Sequence, residues 1–136
     1  MHAPDTGGRA AGKLALAIAN ITVHVLRVHT GRGPTSSRAY LNDDLISVVL
    51  GGTLTQAEHA LVAGGKSDLV LSNRRAFQGI MQADLVAAVE GLTGRTVIAV
   101  FSDHTIDPDV ALESFLLAPQ DAATRRRGGH PCAEND

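Results

Sequence analysis

The spacing of apolar residues along the chain predicts helices and strands in a definite order. Over residues 13–29, apolar side chains recur every three or four positions, which is typical of one face of a helix. Residues 21–25 also alternate as a strand would, but the length of the segment and its Ala-rich start favour a helix. Gly31 and Pro34 should end it, because glycine caps helices and proline cannot continue one. The apolar stripe consists of Leu14, Ile18, Ile21, Val25 and Val28.

A β-hairpin is predicted next. Residues 37–41 and 45–50 are short runs rich in strand-forming residues. Between them stand Asn42, Asp43 and Asp44, whose side chains favour a turn. Ser47 interrupts an otherwise apolar second run, and such a run is typical of a covered strand in the centre of a sheet.

Two helices should follow the hairpin. Thr55 and Glu58 have the spacing of a capping box, which predicts a short helix ending at Ala63. A longer helix is predicted over residues 67–92, with Gly94 after its end. Its apolar face should hold Val70, Phe77, Met81, Leu85, Ala88 and Leu92, and its other side Arg74, Gln78 and Gln82.

Two strands complete the pattern. Residues 96–101 form an apolar run, residues 102–109 are rich in turn-forming residues, and residues 112–117 alternate so that Phe115 and Ser114 face opposite ways. The order is therefore α-β-β-α-α-β-β. It predicts an α+β fold of two layers, in which a four-stranded antiparallel sheet carries its helices on one face.

Composition narrows the class of protein. The chain has 136 residues, of which 44% are apolar, so we expect one domain over residues 13–118 with flexible tails at 1–12 and 119–136. A net charge of −2, one Tyr and three Phe argue against nucleic-acid binding. Cys132 is a single cysteine, which fits a reducing compartment. With no secretory signal and no run of about 18 uninterrupted apolar residues, we expect a cytoplasmic protein without a membrane span.

One candidate site would bind a small anion. The loop Gly31-Arg32-Gly33 could offer backbone N–H groups and a guanidinium to a carboxylate, bicarbonate or phosphate. Arg74, Arg75 and Arg95 supply further positive charge, and the hypothesis requires that these arginines converge. The alternative is that the loop merely stops the first helix and that the arginines are solvated.

A second candidate site lies between the last two predicted strands. Asp103, His104, Asp107 and Asp109 could bind a hard cation through oxygen atoms or perform acid–base chemistry. The alternative is an ordinary turn built from Asp and Pro. Because no Ser or Cys nucleophile stands in a recognisable setting, we expect no enzyme. A transition-metal site would need more His nearby, so we expect no metal, and we expect no cofactor.

Several short strings in order resemble the MpsC-like family over about residues 13–118. They are TGRGP at 30–34, LT at 54–55 with Glu58, RRAF at 74–77, EGLTGR at 90–95, SDH at 102–104, IDPD at 106–109 and FLL at 115–117. The resemblance implies a link to a Na⁺-translocating, membrane-potential-generating system, in which this chain would be an accessory or regulatory subunit.

The leading hypothesis is therefore a non-enzymatic interaction module that forms a homodimer through the stripe on its first helix. It would associate with a protein of a membrane complex that handles Na⁺ or inorganic carbon. Two alternatives stay open: a small-anion sensor using Arg32, Arg74 and Arg95, and an enzyme centred on Asp103 and His104.

Overall fold

Three helices and four strands form the domain in the predicted order. The computed structural model describes residues 6–120. The elements are α1 (Thr6–Thr30), β1 (Ser36–Asn42), β2 (Leu45–Gly51), α2 (Gln56–Ala63), α3 (Ser67–Thr93), β3 (Val97–Thr105) and β4 (Val110–Leu117). Of the predicted tails at 1–12 and 119–136, residues 1–5 and 121–136, with Cys132, lie outside the described residues.

The four strands form one antiparallel sheet in the order β1-β2-β4-β3. The central position predicted for β2 is confirmed. Helices α1 and α3 pack against one face of this sheet, and α2 packs against α3. The predicted α+β architecture is therefore confirmed. The core between the layers is formed by Ile18, Val25, Leu26, Ile46, Val48, Leu50, Met81, Leu85, Val89, Ala111, Phe115 and Leu117.

The first helix differs from its prediction in two ways. It begins at Thr6, so its first two turns occupy part of the segment expected to be a tail. Over Gly8–Thr30 it is also long and apolar enough to cross a membrane by length and composition, a property that the search for uninterrupted apolar runs did not detect. In this structure Ile18, Val25 and Leu26 are buried in the core, so α1 serves as a core helix.

The third strand is longer than predicted. Residues 102–105 were expected in a connection, but β3 continues to Thr105 and pairs with β4 throughout, including Ser102 with Glu113 and His104 with Ala111. The polar side chains do not stop the strand because pairing uses the backbone. The two that face the helices, Ser102 and His104, are hydrogen-bonded to Glu113 and Thr53.

The inward face of α3 also differs from the prediction. Arg74 and Gln78 were expected on the polar side, yet they are only 3% and 6% exposed, whereas Leu92 is 42% exposed. The buried stripe is Val70, Arg74, Gln78, Met81, Leu85 and Val89. Two polar residues can occupy this stripe because β3, β4 and α2 supply partners for their side chains.

Candidate functional site

A polar cluster lies under α3 at the end of β2. We define it as Thr53, Glu58, Arg74, Gln78, His104, Asp109 and Glu113. Its anchor is Asp109, in the connection between β3 and β4. The Asp109 carboxylate accepts the backbone N–H groups of Thr53 and Leu54, at 3.2 and 3.0 Å, and the hydroxyl of Thr53 at 3.2 Å. It therefore fixes the loop that leads from β2 into α2.

The His104 ring is buried beside this loop. Its Nε2 lies 2.6 Å from Thr53 Oγ1 and 3.6 Å from Asp109 Oδ1. A hydrogen on Nε2 accounts for both bonds on this side of the ring, because the ring then donates to Thr53 and the hydroxyl donates to Asp109, while the buried Nδ1 has no hydrogen-bond partner among the described residues. Burial lowers the pKa of His104, and the positive charge of Arg74 lowers it further. The imidazole is consequently neutral at pH 7.

Arg74 is neutralised by a partner on α2. Its Nε donates to Glu58 Oε2 at 2.9 Å, its Nη2 donates to Glu58 Oε1, and the same nitrogen donates to the Thr53 carbonyl at 2.7 Å. Glu58 also closes the predicted capping box by accepting the Thr55 N–H at 2.8 Å. Burial raises the pKa of Glu58, but the hydrogen bonds from Arg74 and Thr55 outweigh it, and the net pKa is lowered. This bidentate pair holds α2 against α3.

Glu113 is the most perturbed acid of the cluster. It is 2% exposed on β4, and burial raises the pKa of its carboxyl to about 7. The Ser102 hydroxyl and the Gln78 amide donate to it and offset part of that effect. The adjoining cavity, lined by Gln78, His104, Glu113 and neighbouring polar and apolar side chains, has a volume of only about 10 Å³. It has room for about one water molecule and none for an organic substrate.

The cluster lacks the geometry of a nucleophile with its base. In such triads the nucleophile and the carboxylate bond opposite nitrogens of the histidine. Here Thr53 Oγ1 and Asp109 Oδ1 both lie beside Nε2. Thr53 is also only 1% exposed, so a substrate carbonyl could not reach its hydroxyl. The bonds within the cluster instead tie the loop, α2, α3 and the end of the sheet together.

The arginines proposed for an anion site do not converge. Arg32 donates to the Leu54 carbonyl, near the Arg74 end of the cluster. Arg95 lies at the opposite end of the sheet, where it donates to Asp44 Oδ1 at 2.6 Å and to the Ala118 carbonyl at 2.8 Å. Arg75 is exposed on α3.

The loop after α1 serves the helix end. Gly31 has a φ of 78°, and its N–H donates to the Arg27 carbonyl at 2.8 Å. Gly33 lies against the Arg27 guanidinium. The helix-stop interpretation of this loop is therefore the one that its geometry fits.

The cation candidates are separated as well. His104 faces the helices, while Asp103, the next residue on β3, faces the other side of the sheet. Asp107 is exposed in the turn, and Asp109 is occupied by the loop around Thr53. Within residues 6–120, no three His, Cys, Asp or Glu side chains are grouped as metal ligands would be.

The interface stripe proposed on α1 is largely internal. Ile18 and Val25 are 0% and 7% exposed in the domain's own core. Leu14 and Ile21 are half-buried. Val28 is the exposed member of the stripe, at 65%.

Exposed apolar side chains also lie on the sheet, on the face opposite the helices. We call it the outer face. Tyr40, Phe101 and Leu112 are 50%, 59% and 38% exposed there, and the Ser47 and Ser114 hydroxyls are 2.9 Å apart at its centre. The outer face comprises Arg38, Tyr40, Leu45, Ser47, Val49, Phe101, Asp103, Leu112, Ser114 and Leu116.

Sequence reasoning named Arg74, His104 and Asp109 as candidates but did not bring them together, and it missed Glu113 and the outer face, although each of these left a signal. Glu113 is a lone acid inside an apolar strand, where a solvated carboxylate would be out of place. The run of β2 is apolar on both sides, yet the predicted helices could cover only one of them.

Comparison with known proteins identifies a family whose model matches most of the chain. The family model described as MpsC, Na⁺-translocating membrane potential-generating system, matches residues 10–119. The match runs from α1 to just beyond β4 and covers the polar cluster and the outer face. Searches of curated proteins and of solved structures found no match.

Proposed function

The chain belongs to the MpsC family, and from this premise we propose that it is a non-enzymatic accessory subunit of a Na⁺-translocating, membrane-potential-generating system. It acts by protein contact through the outer face. The family resemblance seen in the sequence is confirmed by the match, and the family description supplies the link to Na⁺ translocation.

The observation that supports the proposal is a contrast between the two faces of the sheet. On the inner side, the groups suited to chemistry are consumed by structural bonds, as in the Arg74–Glu58 pair and the Thr53–Asp109 contacts. On the outer side, the large side chains of Tyr40, Phe101 and Leu112 are exposed. A patch of this kind on a small domain marks an interaction surface.

The proposal places the subunit at the cytoplasmic side of the membrane, peripheral to the translocating complex. Support comes from α1, whose apolar residues Ile18, Val25 and Leu26 are used in the domain core. A helix that supplies the core in this way would have to leave the sheet in order to cross a bilayer.

The test uses inside-out membrane vesicles from the source organism after deletion of the gene. Purified chain is added, and the Na⁺-dependent membrane potential is followed with a potential-sensitive dye. We expect the added chain to raise the potential. The Phe101→Lys variant, altered on the outer face, should lose most of this effect because the contact patch then carries a buried charge.

The matched control is Ile80→Lys, since Ile80 is 63% exposed on α3 and Phe101 is 59% exposed. It should retain the full effect. The proposal is contradicted if the wild-type chain has no effect, or if Phe101→Lys is as active as Ile80→Lys. A folded His104→Gln variant tests the enzyme alternative, which requires that this variant be inactive while Phe101→Lys remains active.

A further inference from the structure

The side chains of the outer face lie in rows that cross the whole sheet. In one row, Arg38 on β1 pairs with Val49, Val49 pairs with Leu112, and Leu112 pairs with Asp103 on β3. A cation therefore stands at one edge of the sheet and an anion at the other, with two apolar residues between them. The two charges are about 14 Å apart, or three strand spacings.

The next row is also matched from edge to edge, but with aromatic and hydroxyl side chains. Tyr40 on β1 pairs with Ser47, Ser47 with Ser114, and Ser114 with Phe101 on β3. Aromatic rings occupy both edges and hydroxyls occupy the centre. In a third row, Leu45 and Leu116 are the two central residues. The first two rows are thus matched from edge to edge about a line that runs between β2 and β4. The third row is matched at its centre, and its edge residues are Asn42 and Ala99.

We propose that the outer face binds the same face of a second copy, with the two-fold axis parallel to the strands between β2 and β4. This rotation places β1 of one copy over β3 of the other and keeps each row at its own height. Arg38 then meets the partner copy's Asp103, Tyr40 meets its Phe101, and Leu45 meets its Leu116. The inference rests on the proposed function and deepens it: the protein contact made through the outer face is with a second copy, and the chain joins the complex as this dimer.

Charge selects this axis over the other two-fold arrangement of stacked sheets. An axis perpendicular to the strands would place β1 over β1, and it would leave Arg38 and Asp103 without opposite charges. Within residues 6–120 neither residue forms an ion pair, and the Arg38 guanidinium lies 5.3 Å from the centre of the Tyr40 ring on the same face. Opposed charges that flank an apolar centre fix the register of an interface.

The proposed dimer uses the face-to-face sheet packing found in β-sandwiches. Two sheets can stack face to face with their strands nearly aligned, about 10 Å apart, so that side chains from both faces fill the space between them. The contact would be isologous, because residue i of one copy meets residue j of the other and j meets i. The resulting dimer has the helices on its two outside layers.

Charge reversal tests the proposal. The dimer dissociation constant of the full chain is measured by sedimentation velocity for wild type, Arg38→Asp, Asp103→Arg and the double variant. Each single reversal brings like charges together at both ends of the interface, so we expect the dissociation constant to rise about tenfold or more. The double variant restores opposite charges and should dimerise within a few-fold of wild type. Arg75→Asp, on exposed α3, is the control and should match wild type.

Every outcome decides the matter. A monomeric wild-type chain overturns the proposal, as do single variants that dimerise normally or a double variant no better than the singles. Thermal unfolding checks that each variant is folded, and Tyr40→Lys replaces any that is not. The two proposals fail separately: a monomer that still raises the vesicle potential removes only the dimer, whereas a dimer without effect on vesicles removes only the accessory role.

Discussion

Two buried carboxyl groups respond to pH in opposite directions. Burial raises the pKa of Glu113 from 4.5 to about 7, so the stability that this group contributes is present at low pH and is lost as pH rises towards 7. The pKa of Glu58 is lowered, since hydrogen bonds from Arg74 and Thr55 outweigh its burial. Its contribution is therefore present above pH 4.5 and is lost as pH falls through the lowered pKa.

Glu113→Gln should remove the first of these effects. Glutamine has the shape of the protonated acid and can bond both Ser102 and Gln78. The pKa of Glu113 rises from 4.5 to about 7 on folding, so wild type should lose roughly 3 kcal/mol of unfolding free energy between pH 4.5 and pH 8 that the variant keeps. Urea unfolding of both proteins across this range measures the difference. A difference that does not vary with pH would show that Glu113 does not titrate as described.

Glu58→Gln should be strongly destabilising, because it leaves the Arg74 guanidinium buried without its counter-charge. We expect a loss of about 3–5 kcal/mol in unfolding free energy, and a double variant with Arg74→Met that loses much less than the two single losses combined. The control is Asp44→Asn at the more exposed Arg95 pair, which should cost about 1 kcal/mol or less. Equal losses at both pairs would contradict the account.

At the residue scale, the local sequence did not identify which polar side chains are buried. Arg74 was expected in solvent because charged residues seldom lie in a core. Its partners are Glu58 on α2 and Thr53 in the loop before α2, which are 16 and 21 residues away. Such partners depend on tertiary packing, so the spacing of residues along α3 could not reveal them.

At the scale of elements, α3 contains glycines with contrasting backbones. Gly79 and Gly91 lie within the helix, whereas Gly94 caps it with a φ of 68°. A Cβ added at any of the three meets nothing within 4 Å, so the backbone alone decides the effect of alanine. Alanine favours a helix interior and disfavours positive φ.

Gly79→Ala and Gly91→Ala should each raise the unfolding free energy by about 0.5–1 kcal/mol. Gly94→Ala should lower it by about 1 kcal/mol, because an L residue is strained at this cap. Chemical unfolding of the three variants gives the comparison. Loss of stability in all three would mean that contacts unseen in the structure, rather than backbone preference, control these positions.

The elements themselves were well predicted where their signals are local. The Thr55 capping box, the Asp43 turn and the periodic spacing of α1 each depend on residues within one or two turns of each other. The predicted length of β3 was wrong because its last residues are held by pairing with β4, and local sequence patterns do not indicate this pairing. The inward stripe of α3 was wrong because apolarity alone was used to choose it.

At the scale of the whole molecule, three helices cover one side of a four-stranded sheet. The sequence predicted this layering, and the layering leaves apolar residues such as Phe101 and Leu112 without a cover. The matched rows became visible only when the strand registers were known. The outer face therefore connects the fold to the proposed accessory role and to a paired state of the chain.

The most direct measurement is cross-linking between mixed single-cysteine variants. Tyr40→Cys and Phe101→Cys chains, each also carrying Cys132→Ser, are allowed to exchange subunits and are treated with a thiol cross-linker about 8 Å long. The proposed axis stacks β1 over β3 at about 10 Å between sheets, so the mixture should give a covalent dimer and neither variant alone should. Cross-linking of Tyr40→Cys to itself, or no cross-linking in the mixture, would contradict the account.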